Sequence, residues 1–390
     1  MKPRVVIVGA GLAGAAAAWW LAPDFAVTLV DAAAAPGAEA TAQNAGMVRR
    51  LGEEPAERAL ALRSVAFLEA LPPDWDGLAV SRVTGAVHGF TDDPTLLHDA
   101  VAHLRAHGVA VEPLDAAGLA RVAPALAGAP LRGAWFLPTE RVADPHALLT
   151  GFLRGLRRHG GALRLGLPVT ALHAPGGRVS GVHTPAGLLR AEAVVLAAGA
   201  WCSALVGPLG LTRPLVPLRR SLVLSAPHAL ATAPHPWVWL DDAGLYLRPE
   251  GGAFLLSPCD EAVDRPAAPA GPGPLSPLAR ALTADKLARF VPALAGLPLQ
   301  RGWSGLRTFA PDREPLIGAD PAAPGLFWAA GLGGFGLTCA PAVGEVLAAA
   351  LRGDSLPWLD AGPVAPGRPA LRRFPIRPTG ALSSLRLVSA

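Results

Sequence analysis

The chain has 390 residues, more than one domain usually holds, so we expect two domains that share an interface. Hydrophobic residues make up 51% of the sequence, which supports a large core, and no apolar run beyond the N-terminal segment predicts a transmembrane helix. The formal net charge is +4 without a dense basic block before the C-terminal tail, so we expect no nucleic-acid partner.

Lysine and cysteine are both scarce. Lys2 and Lys286 are the two lysines, and their positions at the terminus and in a helical pattern argue against Schiff-base chemistry. The three cysteines are far apart and have no metal-binding spacing. We therefore expect no metal site, reduced thiols and a cytoplasmic protein, with peripheral contact to the inner membrane left open.

The first 31 residues have the order strand, glycine turn, helix, strand, acid. Residues 5–8 are β-branched and predict a buried parallel strand. Gly9 permits the turn, Gly11 lets the backbone approach a pyrophosphate, and Gly14 lets helix and strand pack closely. Asp31 suits a ribose diol and disfavours a 2′-phosphate. This pattern predicts a dinucleotide other than NADP.

A second interpretation exists for the same segment. Lys2 and Arg4 followed by apolar residues 5–22 also resemble a signal peptide or a membrane span. An apolar plug does not need three glycines at this spacing, and cleavage would remove the phosphate loop. We therefore favour the dinucleotide site.

The remaining elements alternate between helical and β patterns. We predict a small-residue loop at 32–47, helices at 53–71, 94–107, 145–159, 279–290 and 341–351, an antiparallel meander over 162–190, β-structure over 215–256, an exposed loop at 261–278, and strands at 84–90, 133–137, 300–309, 316–318 and 327–330. Residues 193–201 form a buried strand that returns to the first sheet, so the nucleotide domain is predicted to be discontinuous. The glycines at 333–336 precede a helix whose N-terminus suits negative charge on a reduced flavin, or form an ordinary turn.

Several motifs in this order resemble the superfamily of FAD-dependent D-amino-acid oxidase, glycine oxidase and sarcosine oxidase. They are residues 9–14 (GAGLAG), 44–46 (NAG), 197–202 (AAGAWC), 303–307 (WSGLR), Asp312, 315–318 (PLIG) and 333–336 (GGFG). Segments 217–221, 246–249 and 303–309 are most similar to bacterial D-arginine dehydrogenase and related D-amino-acid dehydrogenases.

This resemblance implies an α/β FAD-binding Rossmann-like domain of the glutathione-reductase type and an α+β substrate domain with a mostly antiparallel sheet. We assign residues 1–50, 142–214 and 298–360 to the first domain and 51–141 and 215–297 to the second, with 361–390 as a Pro/Arg-rich tail. The cofactor contacts it implies are Gly9, Gly11, Leu12, Ala13, Gly14, Asp31, Thr41, Asn44, Ala45, Gly46, Met47, Val169, Ala198, Gly199, Trp201, Gly305, Arg307, Gly333, Gly334, Phe335, Gly336, Leu337 and Thr338. Non-covalent FAD is expected.

The resemblance also assigns the catalytic residues. Arg307 is expected to clamp the substrate carboxylate, with a structural salt bridge as the alternative. Tyr246 is expected to donate its hydroxyl to the same group, and Arg220 or its neighbour Arg219 to line the site. Gly334 is expected in the same pocket.

The resemblance also bears on the expected substrate preference. Gly85 aligns with an acid of the D-arginine enzyme, Met47 with its loop histidine, and Trp237, near Trp239, with a pocket methionine; His88 is also placed near the pocket. Because a buried cation without a partner is costly, this pocket should favour apolar or small side chains over D-arginine.

The implied reaction is oxidative deamination of a D-amino acid. Hydride passes from Cα to flavin N5, and the imino acid is hydrolysed to a 2-oxo acid and ammonia. The electron acceptor stays open among a quinone, a dye-like acceptor and O2. The alternatives are oxidation of glycine, sarcosine or a cyclic imino acid, a flavin domain of a tRNA-modifying enzyme, and a non-catalytic FAD-binding protein that docks on membranes.

Overall fold

The computed structural model describes residues 1–93, 95, 97–232, 235–266 and 271–372. Its helices are α1 (Leu12–Leu21), α2 (Pro55–Glu69), α3 (His98–Ala106), α4 (Ala116–Val122), α5 (Pro145–Arg158), α6 (Cys202–Val206), α7 (Pro277–Phe290) and α8 (Gly336–Arg352).

Its strands are β1 (Arg4–Val8), β2 (Ala26–Val30), β3 (Met47–Val48), β4 (Ser81–Val83), β5 (Ala86–Phe90), β6 (Glu112–Leu114), β7 (Gly133–Leu137), β8 (Arg141–Ala143), β9 (Ala162–Arg164), β10 (Ala171–Leu172), β11 (Gly181–Thr184), β12 (Gly187–Arg190), β13 (Ala193–Leu196), β14 (Val216–Pro227), β15 (Trp237–Leu240), β16 (Leu245–Glu250), β17 (Ala253–Ser257), β18 (Ala262–Val263), β19 (Gly273–Pro274), β20 (Leu299–Phe309), β21 (Leu316–Ala319) and β22 (Leu326–Ala330).

A six-stranded sheet has the order β21-β22-β13-β1-β2-β9, and its strands are parallel except for β21. Alternate side chains of β1 enter two different cores. Val5 and Ile7 pack against the helix layer that contains α1, α2, α5 and α8, whereas Val6 and Val8 face the opposite core, which includes the small sheet β10-β11-β12. We call these six strands the parallel sheet. β13 lies beside β1 in this sheet, although β2 to β12 come between them in the chain.

The second sheet, called the large sheet below, runs β19-β20-β14-β17-β16-β15-β5-β7-β6, with β18 paired to β14. Its pairs are antiparallel except for β15 with β5. Leucine, valine and phenylalanine side chains from its strands pack against residues of α4 and α7. The predicted α/β domain and mostly antiparallel substrate sheet are therefore both present.

Two segments lie in units other than the predicted ones. β20 was assigned to the first domain, but it pairs along its length with β14 and belongs to the large sheet. α2 was assigned to the second domain, but Leu60, Val65 and Leu68 bury against the helix layer of the parallel sheet. Hydrophobic patterns predict these elements and not their partners, because partners are chosen by long-range packing.

Smaller differences concern segment ends. β9 joins the parallel sheet, so the predicted meander is reduced to β10-β11-β12. α3 begins at His98, and Pro94 and Leu96 lie outside the described residues. The predicted tail is packed as far as it is described, because Arg368 is buried and donates to both Asp312 carboxylate oxygens at 2.6 and 2.8 Å. Residues 373–390 lie outside the described part.

Candidate active site

A cavity of about 560 Å³ lies where the carboxyl ends of β1, β2, β13 and β22 face the large sheet. Ligands bind at this edge in open α/β sheets. One end is lined by the β1–α1 turn and by Asp31. The other end is lined by Arg220, Tyr246 and Arg307 of the large sheet. The cavity therefore joins a nucleotide-binding turn to a pair of arginines.

The β1–α1 turn needs glycine for three separate reasons. Gly9 has a φ of +107°, and a Cβ there would lie 2.4 Å from the Ala197 carbonyl oxygen. A Cβ on Gly14 would lie 1.9 Å from the Gly9 carbonyl oxygen, so Gly14 allows helix and strand to pack. Gly11 provides no side chain to cap α1, so N–H groups of its first turn other than that of Leu12 stay available to an anion. This geometry fits a pyrophosphate.

Two oxygen-bearing side chains shape the nucleotide end. The Asp31 carboxylate accepts hydrogen bonds from the backbone N–H of Ala10 at 2.6 Å and of Ala33 at 2.8 Å. Each carboxylate oxygen can accept a further hydrogen bond, as from a ribose hydroxyl. Thr41 Oγ1 accepts from the Leu12 N–H at 3.1 Å and ties the following loop to the helix start.

Most residues predicted to contact the cofactor line this cavity. They are Gly9, Gly11, Leu12, Ala13, Asp31, Thr41, Asn44, Ala45, Met47, Val169, Ala198, Gly199, Trp201, Gly305, Arg307, Gly333, Gly334, Phe335, Gly336, Leu337 and Thr338. Gly14 and Gly46 are outside the lining. Gly14 serves helix packing, and Gly46 has a φ of +76° in a turn where a Cβ would meet the Ala143 carbonyl oxygen at 2.9 Å.

Strand register brings the two candidate arginines together. Arg220 of β14 lies opposite Gly305 of β20, and Leu218 lies opposite Arg307, so both arginines project from one face. Arg219 projects from the other face, where it bonds Ser304 at 2.7 Å and pairs with Asp264. Of the two neighbours, Arg220 therefore lines the cavity and Arg219 does not.

Glu261 connects these arginines to a third one. Its Oε1 accepts from Arg307 Nη2 at 2.7 Å and from Arg220 Nη2 at 3.2 Å, and its Oε2 accepts from Arg313 Nη2 at 2.6 Å. The Glu261 side chain is 2% exposed. Burial raises its pKa, but the charges of Arg307, Arg220 and Arg313 outweigh this effect and hold the pKa below its ordinary value. One carboxylate thus faces three guanidinium groups.

The arginines keep donors that this carboxylate does not satisfy. Arg220 Nε and Nη1 and Arg307 Nε are buried and have no hydrogen-bond partner among the described residues. Burial, and then the charge of Arg220, lowers the pKa of Arg307 to about 10. Unpaired buried donors and excess positive charge are both costly, and a bound anion offsets both. This part of the cavity can therefore accept an anion.

Tyr246 lies in the same part of the cavity. Its side chain is buried, and its ring lies 4.8 Å from the Trp239 ring, centroid to centroid. Burial raises the pKa of Tyr246, although Arg220 opposes the effect. The hydroxyl therefore stays protonated at neutral pH and can donate a hydrogen bond.

The predicted substrate-pocket residues separate into two groups. Met47, Trp239 and Gly334 line the cavity, whereas Gly85, His88 and Trp237 do not. Gly85 has a φ of +72° and faces the ring of Phe136. His88 is fully buried with Nδ1 2.8 Å from Asp241 Oδ2, and the buried Trp237 donates to the Arg141 carbonyl oxygen at 3.2 Å. Trp237 shares a strand face with Trp239 but lies two residues farther from the cavity.

The sequence prediction missed several residues of this site. Among them, Arg49 and Gln43 line the cavity, Glu261 accepts from Arg220 and Arg307, and Arg313 donates to Glu261. Arg49 and Gln43 flank the NAG motif, so their position in the loop was a usable signal. Glu261 lies in a segment rich in proline and alanine, where sequence gives no sign of burial.

Other groups lie away from the cavity lining. Cys202, Cys259 and Cys339 are buried outside it, and burial raises the pKa of Cys202 to about 12. Within the described part of the chain, no cluster of three or more histidine, cysteine or acidic residues is arranged to hold a metal ion. No helix in that part combines the length and apolar character that crossing a bilayer requires.

A parallel sheet with this glycine turn, facing an antiparallel sheet that presents arginines, places the chain among the dinucleotide-binding α/β proteins. The chain belongs to the FAD dependent oxidoreductase (DAO) family, whose model matches residues 4–350. It is thus an FAD-dependent enzyme, and the nucleotide turn, the loop at Thr41 and the start of α8 are the parts that would hold FAD.

Curated relatives indicate the general activity. The chain is 32% identical over 357 residues to a D-amino acid dehydrogenase from Cereibacter sphaeroides, covering 87% of this chain and 77% of that protein. It is 31% identical over 388 residues to a glycine oxidase from Pseudomonas aeruginosa, covering 94% and 99%. The structure of a Geobacillus kaustophilus glycine oxidase aligns with a TM-score of 0.80 at 24% identity, covering 94% and 99%. The relatives support FAD-dependent amino acid oxidation in general.

Proposed function

We propose that this enzyme oxidatively deaminates D-amino acids with small or apolar side chains in preference to D-arginine. The observation that carries the proposal is the pair Arg307 and Arg220, which share Glu261 and keep unsatisfied donors beside the cavity. A substrate α-carboxylate supplies the missing anion. The D-amino acid dehydrogenase relative supports the substrate class.

FAD, when bound, supplies the acceptor for the hydride that leaves Cα, and water then converts the imino acid to a 2-oxo acid and ammonia. The residues of the chain bind the substrate and orient it. Arg307 and Arg220 fix the carboxylate by charge-assisted hydrogen bonds, and the protonated Tyr246 donates a further one. Trp239 and Met47 exclude water from the reacting carbon.

The preference against D-arginine rests on the distribution of acids. Asp31 and Glu39 are the acidic residues in the described cavity lining, and both are already bonded to backbone N–H groups, Asp31 to those of Ala10 and Ala33 and Glu39 to that of Gly271. A cationic side chain would therefore lie near Arg49, Arg220 and Arg307 without a carboxylate partner. Such burial of like charge is unfavourable.

The test is an anaerobic substrate panel followed by bleaching of the flavin absorbance. We expect D-alanine and D-leucine to bleach the flavin faster than D-arginine and than the L-enantiomers. Arg307→Lys should raise KM without loss of FAD, and Arg301→Lys, at an exposed position on the same strand, should not. Faster bleaching by D-arginine would refute the proposed preference.

Glycine is the second candidate substrate, because the glycine oxidase relative matches nearly the whole chain. Glycine, sarcosine and proline therefore belong in the same panel. Bleaching by these amines with none by D-alanine or D-leucine would replace the first candidate with the second.

A further inference from the structure

Arg49 presents a third cation to the substrate end of the cavity. Its guanidinium carbon lies 4.2 Å from the centroid of the Trp239 ring and 4.2 Å from that of Phe335, so the group is held between two aromatic rings. The backbone is also fixed, because the Arg49 N–H donates to Thr338 Oγ1 at 3.1 Å. The side chain is therefore held in position by its contacts, unlike that of a mobile surface arginine.

No carboxylate in the described structure forms an ion pair with Arg49. Its neighbour Arg50 provides the contrast, because Arg50 Nε bonds Glu140 Oε1 at 3.2 Å. Glu53 and Glu57 are also near Arg49, whose charge lowers the pKa of both, but burial outweighs that charge and raises both pKa values, that of Glu57 well above the ordinary value. Arg49 therefore has two acids nearby but forms no ion pair with either of them.

Two sets of contacts relate the Arg49 guanidinium to the proposed carboxylate site. Trp239, on one side of the guanidinium, packs on Tyr246. Phe335, on the other side, follows Gly334, where a Cβ would lie 2.8 Å from Arg307 Nη1. Arg49 is thus one aromatic ring away from the groups that would hold the α-carboxylate. We expect a short substrate side chain to reach from one group to the other.

We propose that Arg49 receives a second carboxylate, so that the preferred substrates are D-amino acids with a short acidic side chain. This inference rests on the proposed function and narrows its class of small side chains. Arg307 and Arg220 hold the α-carboxylate, and Arg49 holds the side-chain carboxylate. The same charge on Arg49 repels a cationic side chain.

Binding of unreactive acids tests the inference without turnover. Succinate and succinamate have the same length and differ by one charged end, and each is titrated into the holoenzyme while the flavin spectrum is followed. We expect succinate to bind about ten- to a hundredfold tighter, as a charge-assisted hydrogen bond allows. Arg49→Met should abolish this preference, and Arg82→Met, at an exposed arginine on β4, should keep it. Equal binding of both acids by the wild type would overturn the inference.

Turnover separates the failure of this inference from failure of the proposed function. We expect kcat/KM for D-aspartate to exceed that for D-asparagine, and the ratio to fall to about one or below in Arg49→Met. If D-alanine and D-asparagine reduce the flavin and D-aspartate is no better, Arg49 is not a specificity residue. If no D-amino acid reduces the flavin while the succinate preference depends on Arg49, the deamination proposal fails and the dicarboxylate site stands.

Discussion

Arg307 donates to Glu261 through a 2.7 Å hydrogen bond inside the protein, and this bond sets the direction in which the arginine faces the cavity. Glu261 comes from the segment after β17, whereas Arg307 comes from β20. The contact therefore joins two parts of the chain that are distant in sequence. Because Arg220 and Arg313 bond the same carboxylate, Glu261 is a positioning residue for the whole carboxylate site.

Glu261→Gln should destabilise the protein by about 3–5 kcal/mol, because it leaves three guanidinium groups near one another without their shared anion. Added succinate should restore part of the lost stability by supplying that charge. The measurement is the melting temperature with and without succinate. The control is Glu250→Gln, whose acid is 51% exposed in its pair with Arg248. A melting temperature unchanged by Glu261→Gln would show that the contacts of Glu261 with the three arginines do not stabilise the fold.

Gly334→Ala should weaken substrate binding while FAD is retained. The added Cβ would lie 2.8 Å from Arg307 Nη1, so the flexible end of the arginine has to move. A displacement of about 1 Å at a positioning group costs roughly a hundredfold in rate. Steady-state kinetics and the flavin content of the purified protein measure the two effects. Gly207→Ala is the matched control, because a Cβ there meets nothing within 4 Å. Equal losses of substrate and FAD binding would contradict this role.

The nucleotide half of the site is predictable because its signals are local. Gly9, Gly11 and Gly14 are close in sequence, and a Cβ on any of them would crowd a neighbouring atom. The strand at 193–196 is recognisable as buried from its own residues, although its pairing with β1 is a long-range contact. Short-range patterns of this kind predict the local structure without information on distant contacts.

The substrate half is less predictable because its signals are long-range. The pattern of β20 predicts a strand, but only its register with β14 shows that Arg220 shares a face with Arg307 and that Arg219 does not. The resemblance places Gly85 and Trp237 in the pocket, but neither lines the cavity, because Gly85 faces the Phe136 ring and Trp237 is fully buried. Burial of Glu261 depends on arginines about 40 to 50 residues away.

The final prediction concerns the pH dependence of stability at Glu314. This side chain is buried, its Oε2 has no hydrogen-bond partner in the described structure, and its Oε1 accepts a long 3.4 Å bond from the Ala56 N–H. Burial, and then the negative charge of Glu54, raises the pKa of Glu314 from 4.5 to about 7. The folded protein therefore holds this proton over a range of pH in which the unfolded chain has released it.

The sign of the effect follows from proton binding. Between about pH 4.5 and 7 the folded state binds more protons at Glu314 than the unfolded state, so stability falls as pH rises through this window. The loss is complete above about pH 7 and amounts to at most about 3 kcal/mol. Glu314→Gln should remove this component, so the variant should gain stability over the wild type as pH rises from 5 to 8. Melting temperatures measured across this range test the difference, with Glu112→Gln as the exposed control. A constant difference between wild type and Glu314→Gln at every pH would show that Glu314 does not titrate in this way.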